Sequence, residues 1–369
     1  MADQIDSGAH RAESPENPTP EAQGRSWKKS LLFVLKLAFT IGALVWVYRK
    51  VVLRDGMEEV GASLAELRWG WLGVATSMLL VAMTFAVLRW RTLLQGQGIR
   101  PSWRFLIGSL MIARFWGAFT PGGFIGFGGW RIFDVGRHTG KVARATATIG
   151  VEMLLGQMAM GAVVIGGSLL YGYRFIGTEG VMLVAGLFGG VIAAAVLFLA
   201  KPGLFVRITR IFPAAIRTRV QTLVVAIRAY EGQGWLLARA FAFGLGVHAF
   251  NGLIYVSAAK ALNVDVGVGE LFFAANMTIL ATLVPASING MGLRESAAVI
   301  LYAAVGVPVG VAALIALLGF ACEMAVSALG GPVFLARRTG YEPHIEVDEV
   351  EAEQEALEAI EEVPLPRKV

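Results

Sequence analysis

The chain is short of charge. Of its 369 residues only 16% are Asp, Glu, Lys or Arg, where an ordinary globular domain carries about 25%. Cysteine is nearly absent as well. Cys322 stands alone inside an apolar run, which excludes an intramolecular disulfide framework. The phosphate-gripping GxxxxGK[ST] loop, HExxH, paired Cys/His spacings and GxSxG are all missing. Their absence removes the P-loop ATPase, metalloenzyme and serine-hydrolase readings, and neither a metal nor a cofactor is expected. No cleavable signal peptide is visible, because the first apolar run is too long and lacks a small-residue cleavage site.

What fills the space is apolar. Hydrophobic residues make up 56% of the chain, and the mean hydropathy is +0.63. Runs such as VMLVAGLFGGVIAAAVLFLA at 181–200 are continuously apolar. A bilayer core of ~30 Å needs about 20 helical residues, whereas a barrel would show alternating segments of about ten. The fold class that follows is all-α, a polytopic transmembrane helix bundle. Its apolar segments are 30–48, 69–88, 103–119, 142–171, 181–200, 235–262, 270–287, 295–306 and 308–336. Residues 53–68 and 202–231 read as interfacial helices. Residues 1–28 read as a disordered tail and 339–369 as an acidic, solvated one, leaving 29–338 as the membrane domain.

The net charge of +5 is no nucleic-acid signal, because the basic residues flank apolar segments and set topology. Lys and Arg collect in 89–104, 131–144, 201–239 and at Arg337/Arg338. Those stretches are expected in the cytoplasm, with both termini, in an inner (plasma) membrane. Two segments then look too short to cross: 129–138 and 295–306. The sequence therefore predicts re-entrant hairpins at 103–138 and 270–306, oppositely oriented as a pseudo inverted repeat.

The two hairpin tips resemble each other. One reads Pro121-Gly-Gly-Phe-Ile-Gly126-Phe-Gly128-Gly129-Trp-Arg131; the other reads Pro285-Ala-Ser-Ile-Asn-Gly290-Met-Gly292-Leu-Arg294-Glu295. Proline stops a descending helix, and glycine permits positive φ and opens backbone N–H groups. A helix starting just afterwards points its positive end at the tip. Arg131 and Arg294 would then grip a phosphate. The plainer alternative is tight packing at glycine turns, with arginines reaching for headgroups.

Ionisable residues inside apolar runs default to functional hypotheses. Glu152, Glu323 and Arg114 are of this kind, the alternative being structural ion pairs with Arg114, Arg131 or Arg294. His248, Asn251 and Tyr255 share one helical face and suit interhelical hydrogen bonding, as do Asn276, Thr278 and Thr282. The Gly186/Gly190 pair suits close helix packing.

ARFWGAFTPGGFIGFGGWR, ATATIGVEMLLG and LVPASINGMGLRE resemble the transmembrane region of lysylphosphatidylglycerol synthases and their flippase-like relatives, over roughly 30–336. The family signatures fall on Pro121, Gly128, Gly129 and Arg131, on Glu152, and on Gly290, Gly292, Arg294 and Glu295. The resemblance implies a lipid-translocating domain with re-entrant segments around a headgroup cavity. No soluble aminoacyl-transferase domain follows the membrane region here, so synthesis of lysyl-lipid is not expected. The family's acidic residue before the first arginine has no counterpart in Gly128-Gly129-Trp130, which bears on the cargo.

The leading expectation is a non-enzymatic transporter of anionic or phosphate-bearing membrane lipids. Its substrate-binding residues would be Arg131, Arg294, Glu152, Glu295, Arg114, Gly128, Gly129, Gly290, Gly292 and Glu323. Glu152 and Glu295 would orient the arginines or couple to protons. The rivals are a transferase on a lipid-linked substrate, with Glu152 or Asp134 as base, and a non-transporting scaffold for proteins of cell-envelope biosynthesis.

Overall fold

The computed structural model describes residues 20–52, 56–120, 123–201, 203, 224–284, 286–287 and 290–337. Every regular element among them is helical. In chain order these are α1 (Pro20–Val52), α2 (Gly56–Ala65), α3 (Trp69–Gly96), α4 (Trp103–Phe119), α5 (Gly123–Thr139) and α6 (Val142–Gly167). A π-helical turn (Ser168–Gly172) leads to α7 (Tyr173–Ala200), then α8 (Gly234–Ala261), α9 (Val268–Ala281), α10 (Leu293–Ala303), α11 (Val309–Ala328) and α12 (Gly330–Arg337). Four stretches are long and apolar enough to cross a membrane: Trp69–Gly96, Val142–Ala200, Gly234–Ala261 and Val309–Arg337. The first helix starts at Pro20, inside the expected tail. Residues 1–19, most of 202–231 and all of 339–369 lie outside the described residues.

Helices α3 and α8 form the central antiparallel pair. The Arg68 N–H bonds the Ala261 carbonyl at 2.9 Å at one end, and Gln233 Nε2 bonds the Gly96 carbonyl at 3.1 Å at the other. Between these ends Phe85 stacks on Phe250, centroids 5.5 Å apart, and Gly246 lets the ring of Phe85 approach closely. Trp90, Tyr255, Phe273 and Tyr302 are wholly buried around this pair.

The Val142–Ala200 run is a second hairpin. Gly161 lies against Phe188 and Ile192, and Gly172 against Val181, so the chain doubles back between them. It does so at Gly177, whose φ of 66° breaks the helix and suits glycine. Leu183, Leu187 and Val191 are exposed along one face of α7, as lipid contact requires. Gly186 and Gly190 have nothing within 4 Å of where a β-carbon would sit. Among the described residues nothing packs on that pair; α7 packs through Val181, Phe188 and Ile192 instead.

Two pairs of short helices, α4–α5 and α9–α10, each follow a long helix, after the connections 97–102 and 262–267. Because α3 and α8 are antiparallel, the pairs start from opposite ends of the bundle. At 1.5 Å per residue, α9 with 14 residues and α10 with 11 reach only about 21 and 16 Å. Helix α5 is longer than expected. It starts at Gly123 and has 17 residues, or about 25 Å, because Gly126, Gly128 and Gly129 are helical and not part of an open tip. Gly126 fits against Thr120 and the Trp116 carbonyl, and Gly128 against Ile149. Close contact is made at Gly126, and the sequence reading took all three for irregular backbone. Pro121 and Pro285 lie outside the described residues.

Candidate functional site: two arginine–glutamate clusters

Glu152 sits midway along α6 and is 2% exposed. One carboxylate oxygen accepts from Arg89 Nη2 at 2.8 Å and from Arg89 Nε at 3.3 Å. The other accepts from Arg131 Nη1 at 2.7 Å. Arg131, on α5 and 4% exposed, lies over the rings of Phe127 at 4.4 Å and Trp90 at 5.1 Å. Three helices are thus tied through one carboxylate. Gly156 and Gly244 leave room for Arg89, since β-carbons there would lie 3.2 and 3.5 Å from its Nη1.

Arg89 is the residue that the sequence reading missed. It falls just past the apolar run 69–88 and was assigned to a basic cytoplasmic stretch, whereas α3 continues to Gly96 and carries it inside. An arginine within two turns of an apolar run, followed by the apolar Trp90, was the available signal.

The second cluster gathers on α4, α8, α10 and α11. Arg294, 8% exposed, stacks on Phe320 at 4.3 Å, and its Nε and Nη1 have no hydrogen-bond partner. Glu323 lies within electrostatic range of Arg114 and Arg294. Its carboxylate accepts from the Tyr255 hydroxyl at 3.1 Å. Arg114 Nε is buried without a partner too. Tyr255 and His248 both join helices, the latter through the Gly156 carbonyl at 3.1 Å. Asn276 instead bonds its own helix at the Phe272 carbonyl, as Thr282 does at Ile279.

Gly290 and Gly292 have φ of 76° and 79°, the conformation for which glycine is suited. The amide of Gly292 is already taken: it donates to the Glu295 carboxylate at 2.6 Å. Glu295 caps its own helix, which differs from the expected role of orienting Arg294. With Gly128 and Gly129 inside α5, the cation chemistry here rests on guanidinium groups and not on open backbone. No bond among the described residues joins Arg131 to Arg294.

Asp134, one of the two groups considered as a base, accepts from Arg337 Nη1 at 3.1 Å. Arg337 Nη2 also donates to the Phe105 carbonyl at 2.7 Å, so α12 is fastened across α4 and α5. Among the described residues no three of His, Cys, Asp and Glu are grouped so as to hold a metal ion. The groups that converge are guanidinium, carboxylate and phenol.

A family model described as Lysylphosphatidylglycerol synthase TM region matches residues 33–331. No curated protein and no solved structure matches the chain.

Proposed function

The chain belongs to the lysylphosphatidylglycerol synthase transmembrane-region family, and from that premise we propose that it moves an anionic or phosphate-bearing lipid between leaflets. An integral membrane protein concerned with lipids is the coarse reading that the family supports. The finer reading rests on one observation: an arginine is buried on the second helix of each short pair, Arg131 on α5 and Arg294 on α10. A guanidinium inside a membrane domain is costly unless it serves a partner or a pathway.

The element order supports a repeated design. Long, short, short, long describes both α3–α6 and α8–α11, and the antiparallel α3 and α8 make the repetition inverted, as in many transporters with a site near the midplane. In this proposal the short pairs are re-entrant, dipping in from opposite faces, and Arg131 and Arg294 bind the headgroup in turn. The protein would sit in the inner (plasma) membrane with both termini in the cytoplasm, alongside proteins of envelope biosynthesis.

The direct test is transbilayer movement of a fluorescent phosphatidylglycerol in liposomes holding the purified protein. Arg131→Ala and Arg294→Ala are each expected to slow movement roughly tenfold, the equivalent of one charge-assisted hydrogen bond. Wild-type rates from both variants would sink the mechanism.

A further inference from the structure

The two ends of the bundle differ in charge. One end gathers the last turns of α3, α5 and α7, the connection 97–102, residues 224–233 and the first turns of α4, α6 and α8. Among the described residues its exposed bases are Arg100, Arg104, Arg144, Lys201, Arg228 and Arg239, against one exposed acid, Glu231. At the other end exposed Arg49, Arg68 and Arg174 stand among five exposed acids, from Glu58 to Asp265.

The chain leaves the bundle at the basic end. Phe334 of α12 lies edge-on to Trp116 and Trp130, with centroids 5.5 and 5.4 Å apart. Arg337 Nη1 donates to Asp134, and its Nη2 donates to the carbonyls of Phe105 at 2.7 Å and Arg104 at 3.3 Å. Five residues further on begins the stretch 342–362, with ten carboxylates and no Lys or Arg. Five residues span at most about 18 Å, so this stretch, which lies outside the described residues, starts within reach of Arg104 and its basic neighbours.

We propose that the acidic stretch 342–362 docks on the basic end of its own chain. The two are opposite in sign, and the tether through α12 gives the stretch an effective concentration on the order of millimolar there. An anionic leaflet attracts the bases but repels the carboxylates, so the bundle end, and not the bilayer, is the surface that draws the stretch. Exposed ion pairs are weak singly. Their sum over many pairs holds the stretch, and salt screens it. This docking goes beyond the lipid-transport reading and does not depend on it.

Limited proteolysis of the full-length chain by proteinase K tests this, in phosphatidylcholine nanodiscs holding one copy. The readout is the rate of cleavage within 342–362, corrected for the protease's own salt response on a free peptide of that sequence. Cleavage is expected to run about tenfold faster at about 1 M salt than at about 0.01 M, because the Debye length falls from about 30 to about 3 Å. Glu349→Lys, Glu351→Lys, Glu353→Lys and Glu355→Lys together should remove the protection at low salt. Arg100→Glu, Arg104→Glu and Arg228→Glu together should remove it as well. Combining the two sets should restore it, which misfolding would not do. Arg49→Glu with Arg68→Glu, at the opposite end, should be protected as wild type is. Protection of the wild type should persist in phosphatidylglycerol nanodiscs.

Equal cleavage at the two salt concentrations, or undiminished protection in the four-glutamate variant, overturns the docking. So does loss of wild-type protection in phosphatidylglycerol nanodiscs at low salt, which would give the basic end to the bilayer headgroups. None of these readouts measures lipid movement, so the docking can fail while the transport reading stands.

Discussion

Glu152 and Glu323 occupy the closing long helices of two stretches with the same element order, yet they keep different company. Glu152 holds two guanidinium groups at 2.7 and 2.8 Å. Glu323 accepts from a phenol, with its arginines near but unbonded. The position on α3 that supplies Arg89 to the first carboxylate is answered on α8 by Tyr255 for the second. Replacing a cation with a hydroxyl removes a lock. The first cluster therefore also ties α3, α5 and α6 together, a bond that the second cluster lacks among the described residues.

That contrast can be broken most sharply at the carboxylates. Glu152→Leu strands two buried guanidinium groups and is expected to cost about 3–5 kcal/mol, the range for breaking a buried pair by removing one partner. Glu323→Leu gives up a single hydrogen bond to a charged group, about 1.5–3 kcal/mol. Thermal melting of the two purified variants checks the difference, and equal losses would erase the distinction between the two clusters.

A smaller effect is expected at Gly156. Its β-carbon would sit 3.2 Å from Arg89 Nη1, so Gly156→Val should push Arg89 off Glu152 and cost about 1–3 kcal/mol by overpacking. Gly186→Val, on the open face of α7 with nothing within 4 Å, should melt close to wild type. If the two glycine variants melt alike, the slot around Arg89 does not matter.

The smallest change concerns Tyr255→Phe, about 1 kcal/mol in stability for one hydrogen bond. Its informative readout is transbilayer movement. Once freed, Glu323 can swing toward Arg294 and Arg114, so phosphatidylglycerol movement should slow although no arginine has changed. Faster movement in this variant would mean that Tyr255 does not restrain the carboxylate.

Much of the helical scaffold was legible beforehand, because apolar runs of spanning length have few alternatives. Legibility failed where a charged residue ended a run. Arg89 and Arg337 were both assigned to cytoplasmic loops, since positive charge beside an apolar segment is usually a topology signal. Arg89 lies inside α3, and Arg337 is bound to Asp134 more than half the chain away. It failed also at Gly126, Gly128 and Gly129, where composition suggested a loose tip and the residues are helical instead, with Trp116 and Thr120 close against Gly126 alone. Gly290 and Gly292, of the same residue type, do adopt positive φ. Local sequence did not separate the two cases, because the difference lies in what packs against each glycine.

The sequence by itself determined that this is a helical membrane protein, since lipid offers the backbone no hydrogen-bond partner and long apolar runs must satisfy their own. It also placed arginine and glutamate within those runs, where a charge is costly to leave without a partner. Which arginine meets which glutamate was left open: Arg114, Arg131 and Arg294 were all candidates for either carboxylate, and Arg89 was not considered. Only the tertiary structure decided it. Antiparallel packing of α3 on α8 and of α5 on α6 fixes separations to within a hydrogen-bond length, and charge pairing depends on that length rather than on order along the chain.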